Sequence, residues 1–159
     1  MKKIISLVVL ILLASIGGYS YYRQQPEQQV GRAVDQFLEN VEHRKISTRR
    51  QIDVHEALSK VLAAKVDFQG AFPIPTETLT LEETLGKIDQ LHVATSLCRI
   101  TESERNLKII GAKAQVYLTA NILLAAGKEY QREQTWDLII DLEKGEDWRI
   151  VSMRGIPPD

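Results

Sequence analysis

Apolar and polar side chains alternate in the segment "GAKAQVYLTANILLAAG", residues 111–127. Its apolar members occur at every second position: Ala112, Ala114, Val116, Leu118, Ala120, Ile122 and Leu124. The residues between them are polar or amphipathic as far as Asn121. Successive side chains of a β-strand point to opposite faces of the sheet. The pattern therefore predicts one long strand over 108–126 with a dry face and a wet face.

The same period of two continues on both sides of this segment. After it, apolar residues alternate with polar ones: Trp136, Leu138, Ile140 and Leu142 with Thr135, Asp137 and Asp141. Gly127-Lys128 and "EKGED" predict hairpin turns, and "DWRIVSMRGI" predicts a last strand. Before it, "SLCRITES" and "LKIIGAK" predict strands that meet at a polar turn over 103–106. These segments together predict an antiparallel meander.

The first half of the chain has helical periodicity instead. Apolar residues recur at helical spacing in a first helix over about 27–44: Val30, Val34, Phe37 and Val41. A second helix is predicted for the apolar positions from Ile52 to Val66, and a loop for 69–78. Thr80 and Glu83 form a capping-box pattern at the start of a third helix, which carries Leu81, Leu85, Ile88 and Leu91 on one face.

Helices followed by a meander predict an α+β fold, in which about three helices pack on a curved antiparallel sheet. Over residues 27–157 this order, with "IIGAKAQVYL" entering a long strand and "WRIVSM" closing the chain, resembles the nuclear transport factor 2-like superfamily in its SnoaL-like branch. The resemblance implies a cone-shaped domain over 30–159, with a pocket between the concave sheet face and the helices. A cystatin-like sheet wrapped on one long helix is the alternative.

Residues 1–22 form a separate N-terminal element. Two lysines precede thirteen uncharged residues, Ile4 to Ile16, and the apolar stretch to Tyr22 is 19 residues long. About 20 such residues span a bilayer, and the lysines favour a cytoplasmic N-terminus. We therefore predict a membrane helix that acts as a signal anchor through residues 4–22, a linker over 23–29, and a periplasmic or extracellular domain. A cleaved signal peptide, which would make the domain secreted, stays open.

Charge and cysteine usage exclude several function classes. Beyond residue 22 the chain has 18 basic and 21 acidic residues, mixed along its length, which excludes the basic stripe of a nucleic-acid-binding protein. Cys98 is the single cysteine, and the sequence contains neither a CxxC motif nor a Cys/His cluster. We predict no metal site and no cofactor.

Acid–base groups are missing from the predicted dry face. Ketosteroid isomerase and scytalone dehydratase, enzymes of the superfamily that this chain resembles, place Asp, His or Tyr groups in the pocket. Here the dry face has none, so we assign no catalytic residue and favour a non-enzymatic protein. His55 and Asp53 are the first candidates if there is chemistry, although "HEALS" lacks the second His of a zinc motif. We expect His43 to be solvated and a protonated His92 to suit a helix C-terminus.

These observations leave three functional hypotheses. The first is a membrane-anchored, extracytoplasmic interaction or assembly domain that contacts a protein partner, or a second copy, through the outer sheet face. The second is a carrier of a small apolar ligand, and the third is an isomerase or hydrolase of the ketosteroid isomerase type. The residues predicted to line the pocket are Ala112, Ala114, Val116, Leu118, Ala120, Trp136, Phe37 and His55.

Overall fold

A computed structural model describes residues 25–44, 48–70, 76–127 and 130–156. Within these ranges the elements in chain order are α1 (Pro26–Val41), β1 (His43–Arg44), α2 (Thr48–Val61), β2 (Leu62–Gln69), β3 (Glu77–Thr80), α3 (Leu81–Ala94), β4 (Leu97–Ile110), β5 (Lys113–Ala126), β6 (Tyr130–Lys144) and β7 (Trp148–Ile156). The predicted anchor, residues 1–22, lies outside the described residues. Among the described helices, none is both long and apolar enough to cross a bilayer.

The strands form one sheet in the order β1-β4-β5-β6-β7-β2-β3. The meander β4 to β7 is antiparallel, as the alternation predicted. The prediction of an entirely antiparallel sheet is wrong, because β2 runs parallel to β7. Three helices on a mixed, curved sheet confirm the α+β class. Apolar residues of the helices and of the inner sheet face join in one buried core.

The first helix is confirmed in its apolar face but not in its bounds. Its predicted positions are all buried: Val30, Val34, Phe37 and Val41. Pro26 occupies the first turn, where its fixed φ suits a helix and its missing N–H has no partner to lose. Residues 27–29, which the predicted helix and the predicted linker share, are helical. The helix ends at Val41, because Glu42 is extended and His43 and Arg44 pair with β4.

The prediction of a second helix that reaches Val66 is wrong in its last turns. The helix α2 ends at Val61, and Leu62–Gln69 is the strand β2. Buried Val66 and Phe68 alternate with more exposed neighbours, and β2 is paired on both sides, with β7 and with β3. Pairing with residues distant in sequence decides this conformation. Part of the predicted loop, Glu77 and Thr78, belongs to β3 for the same reason.

The start of α3 confirms the predicted capping box. The Thr80 hydroxyl accepts a hydrogen bond from the Glu83 N–H at 3.3 Å, and a Glu83 carboxylate oxygen accepts from the Thr80 N–H at 2.8 Å. Two N–H groups that a helix start leaves unpaired are thereby satisfied. This junction fixes where β3 ends and α3 begins.

The turn that joins β4 and β5 lies at a different position from the predicted one. The strand β4 runs through the predicted turn over 103–106, and a bulge between Glu102 and Glu104 stands there instead. The turn lies at Gly111 and Ala112, where Gly111 has φ +61°, a left-handed value that suits glycine. The long strand therefore begins at Lys113 rather than 108. Ala112 is exposed in the turn and does not belong to the dry face.

The rest of the dry face is confirmed. The predicted residues of β5 from Ala114 to Leu124 are buried, and those of β6 share their face. The register places Ala120 opposite Trp136 and Val116 opposite Ile140. Asp137 and Asp141 lie on the opposite, outer face, as the parity predicted.

Candidate functional site

The inner sheet face gathers most of the predicted pocket residues into the core. One buried cluster contains Ala114, Val116, Leu118, Ala120, Trp136 and Phe37. Phe37 packs from α1, and Leu58 of α2, which is fully buried, belongs to the same cluster. Ala112 and His55 are outside it. A ligand seated among these residues stays a prediction.

Polar groups are few on the buried side of the described residues. His43 and Thr84 are the buried polar side chains there, and the Thr84 hydroxyl donates to the Thr80 carbonyl at 2.9 Å. The core of the described ranges thus offers two titratable side chains, His43 from the sheet edge at β1 and the Cys98 thiol of β4. General acid–base chemistry needs a titratable group within hydrogen-bond reach of the substrate. The apolar inner face of β5 and β6 supplies none.

His43 and His92 form a reciprocal contact between the ends of α1 and α3. Their ring centroids are 4.4 Å apart. The Nε2–H of His92 donates to the Val41 carbonyl at 3.0 Å, and the Nε2–H of His43 donates to the Thr95 carbonyl at 3.0 Å. Helix C-termini leave carbonyls without intrahelical partners, and these imidazoles occupy two of them. His43 is 3% exposed, so the prediction of a solvated residue is wrong.

Burial changes the expected protonation of His92. Loss of water around the ring lowers the pKa of His92, the Val41 carbonyl raises it, and nearby His43 lowers it further, with a net downward shift. A helix C-terminus favours an imidazolium. Here desolvation outweighs that preference, so the predicted protonated His92 is wrong. The lowered pKa of His92 keeps its imidazole neutral at physiological pH.

A charged triad lies where α1 meets β4. The Arg105 guanidinium contacts a carboxylate oxygen of Asp35 at 2.6 Å and one of Glu102 at 2.5 Å. Burial alone would lower the pKa of Arg105, but the hydrogen bonds with Glu102 and Asp35 outweigh it and raise that pKa. Sequence reasoning missed this triad because it placed residues 103–106 in a turn. The opposite charges of Glu102 and Arg105 were the only local signal.

His55 and Asp89 form an ion-pair geometry in a groove between α2 and α3. The His55 Nε2 lies 2.9 Å from each oxygen of the Asp89 carboxylate. Their side chains are 38% and 23% exposed, and Leu81 and Leu85 line the same cavity of about 570 Å³. His55 therefore faces this groove and not the interior of the cone. Sequence reasoning could not pair residues from two helices.

Asp53 and Cys98 can be removed from the chemical candidates. Asp53 is exposed on α2, away from the core. Cys98 is buried in β4, and burial, with a contribution from Glu42, raises the pKa of its thiol to about 12. A thiol is a poor nucleophile unless it ionises. Cys98 is thus a small buried residue of the strand.

The outer sheet face carries an ordered set of polar contacts. The Tyr117 hydroxyl donates to the Gln115 side-chain carbonyl, and the Gln115 amide donates to Asp141 at 2.7 Å. The Thr119 hydroxyl donates to Asp137 at 2.7 Å. Each contact joins neighbouring strands or neighbours on one strand, so the side chains are held in place. Tyr117 is nevertheless 45% exposed.

The chain resembles known proteins in its structure and not in its sequence. No family model matches the sequence, and no curated protein matches it either. Solved structures do match, beginning with a nuclear transport factor 2-like protein from Cytophaga hutchinsonii. It has a TM-score of 0.63 and 14% identity, and the match covers 85% of this chain and 100% of that one.

Two further structures widen this likeness. A nuclear transport factor 2-like protein with a cystatin-like fold from Novosphingobium aromaticivorans has a TM-score of 0.65 at 12% identity, over 92% of this chain and 90% of that one. A candidate dehydratase of the same family from Streptomyces avermitilis has a TM-score of 0.62 at 19% identity, over 83% and 95%. At these identities the likeness concerns the fold. The chain has the nuclear transport factor 2-like fold.

Proposed function

We propose that this chain is a non-enzymatic interaction domain, held in a membrane by residues 4–22 with its folded part outside the cytoplasm. In this proposal the outer sheet face contacts a protein partner. The supporting observation is the combination on that face of exposed apolar groups with fixed polar ones. The apolar interior of the described core also favours a binding role over chemistry.

The exposed groups of the outer face are those enriched at protein interfaces. Tyr117 lies at its middle, half-buried Ile139 lies opposite Tyr117 on β6, and Ile110 lies near its end. Aromatic residues that present an apolar ring and a polar tip are common in interface cores. The hydrogen bonds of Tyr117 and Gln115 pre-organise the face, which lowers the entropy lost on binding. A cavity of about 420 Å³ beside Gln115, Asp141 and Ser152 offers room for a partner side chain.

Site-specific photo-crosslinking in native membranes tests this proposal. Tyr117 of the full-length chain is replaced by p-benzoylphenylalanine, and the adduct formed under light is identified by its crosslinked peptides. Val93 is the matched control position, because it is 85% exposed on α3, on the helix side of the sheet. We expect one defined adduct at position 117 and none at 93.

A second substitution decides whether the adduct reports on this face. Thr119→Arg places a bulky charge beside Tyr117 and should abolish the adduct, whereas Ile52→Arg on exposed α2 should leave it. Recovery of monomer alone at both photoreactive positions would contradict an interaction through the outer face. An adduct that survives Thr119→Arg would contradict it as well.

Acid–base chemistry is a second candidate function, favoured by the His55–Asp89 contact. If Asp89 accepts the Nε2–H of His55, the Nδ1 atom is left as the basic nitrogen. The fold-level likeness to a candidate dehydratase suggests elimination of water from a β-hydroxy ketone as the trial reaction. We would compare the native chain with His55→Gln, and equal rates would exclude this role.

A further inference from the structure

The strand β4 has an unpaired edge. The sheet order places only β1 on its outer side, and β1 pairs with Leu97 and Cys98 alone. From Arg99 to Ile110, the part of the chain that the structure describes provides a neighbour on the β5 side only. A strand edge exposes N–H and C=O groups that can pair with another chain.

The first half of this edge is protected. The N–H of Ile100 donates to a carboxylate oxygen of Glu42 at 2.5 Å, so its edge position is occupied from within the chain. The bulge between Glu102 and Glu104 then disturbs the strand, and the Ser103 hydroxyl donates to the Thr119 carbonyl at 3.1 Å. Side-chain caps and bulges are devices by which native sheets prevent edge pairing.

The second half has neither device. The register pairs Ile110 with Lys113 across the two-residue turn, so alternate residues of β4 bond to β5. The N–H and C=O groups of Arg105, Leu107 and Ile109 consequently point away from β5. Among the described residues no side chain or strand bonds to them. The edge from Glu104 to Ile110 is thus regular and open.

We propose that a second copy of this chain adds its own β4 to this edge, antiparallel, with the two-fold axis at Asn106. Arg105 of each copy then exchanges main-chain hydrogen bonds with Leu107 of the other. In the same register Glu104 of each copy lies directly opposite Lys108 of the other. Opposite charges in directly facing cross-strand positions stabilise a sheet.

Charge complementarity selects this occupant and this register. A shift that placed Leu107 opposite its own copy would set Glu104 against Ile110 and Lys108 against Asn106, and both ion pairs would be lost. The two-fold symmetry makes the contact self-complementary and closed, as in most homodimers. It joins two sheets edge to edge and leaves Tyr117 free. The inference is therefore independent of the proposed outer-face contact.

Disulfide trapping in the full-length chain, kept in detergent, tests the register. Facing residues of a non-hydrogen-bonded pair have Cα atoms about 4.5 Å apart, within the range that a disulfide bridges. Asn106→Cys should give a covalent dimer under mild oxidation, whereas Tyr117→Cys in the centre of the outer face should not. Buried Cys98 is common to both variants.

Dimer formation at position 117 but not at 106 would overturn the edge proposal and favour an outer-face dimer. Monomer at both positions would overturn the edge proposal and leave the outer face to another partner. Dimers at 106 alone would support it, whereas dimers at both positions would count against it, because Asn106 lies opposite Tyr117 on the same outer face.

Charge reversal provides a second test that does not depend on cysteine. Glu104→Lys or Lys108→Glu sets like charges opposite each other twice per dimer, and each should weaken the dimer about tenfold by sedimentation equilibrium. The double variant restores opposite charges and should regain the native dissociation constant. Both residues are exposed, so folding should not change. Equal dissociation constants for all four chains would overturn the proposed register.

Discussion

The two faces of the central strands β5 and β6 are made from neighbouring residues but hold the molecule together in different ways. The inner face is apolar and buried under the helices, and contacts there are non-directional. The outer face consists of hydrogen-bonded side chains such as Thr119 with Asp137, partly open to water. One strand sequence thus encodes a buried packing surface on one side and a hydrogen-bonded, partly water-exposed surface on the other.

We expect the largest change in unfolding free energy on the inner face of β6, where two adjacent residues lie on opposite faces of the sheet. Ile140 is 0% exposed on the inner face, while Ile139 is half-buried on the outer face. Ile140→Ala should lower the free energy of unfolding by about 3 kcal/mol, because it removes buried methyl groups and leaves a cavity. Ile139→Ala should cost about 1 kcal/mol or less. Urea unfolding measures both, and equal losses would contradict the assignment of the faces.

Overpacking of the inner face is the next test. Ala120→Leu should cost about 2 kcal/mol if the residues around it are close-packed. Ala125→Leu is the control, since Ala125 lies at an outer-face position of the same strand and should change stability little. A fully stable Ala120→Leu chain would instead indicate open space beside Ala120, as the ligand-carrier hypothesis requires. Thermal and urea unfolding distinguish these outcomes.

Protonation of His92 is expected to lower the stability of the folded chain, because the pKa of its imidazole is lowered there. Because the pKa of His92 is lowered in the folded chain, the unfolded chain binds the proton first as the pH falls below about 6.5. Stability should therefore be unaffected by this group above that pH and should decline below it. His43 disfavours the added charge, Asp89 favours it and Arg50 disfavours it.

The variant His92→Gln separates this effect from the hydrogen bond. Its amide can still donate to the Val41 carbonyl, so we expect a loss of about 1 kcal/mol or less at pH 7.5. The part of the decline between pH 7.5 and 5.5 that belongs to His92 should disappear. Urea unfolding at the two pH values measures this, and the same slope for variant and native chain would refute it.

The smallest effect is expected on the outer face. Thr119→Val keeps the shape of the side chain and removes the hydrogen bond to Asp137, which is solvent-exposed. We expect a loss of about 0.5 kcal/mol, because water replaces the lost partner. Differential scanning calorimetry against the native chain measures it. A loss as large as that of Ile140→Ala would mean that the side-chain hydrogen bonds of the outer face also maintain the fold.

Local sequence patterns correctly predicted those elements whose conformation depends on their own residues. The alternation in β5 and β6 predicted both faces, and the capping box predicted the start of α3, because period and caps are properties of consecutive residues. The predicted bounds of an element were wrong where its residues pair with a strand distant in sequence. Residues 62–69 have an apolar spacing that fits a helix turn or a strand, and the pairing of β2 with β7 makes them a strand.

The candidate sites show the same division. The sequence alone predicted that the dry face lacks acidic and basic side chains. The alternation of residues along a strand assigns each side chain to one face. The contacts of His55 with Asp89, of His43 with His92 and of Arg105 with Asp35 were not predicted, since each joins residues from different elements. Local propensity contains no information about which helix ends or strand edges will meet.

The α+β class, the amphipathic first helix and the two-sided character of the long strands were predictable from the order of residues alone. The parallel pairing of β2, the bulge at the predicted turn and the open edge of β4 become visible in the folded chain. The physical reason is that side-chain period follows from local backbone geometry. Strand order, register and edge exposure follow instead from the packing of segments distant in sequence.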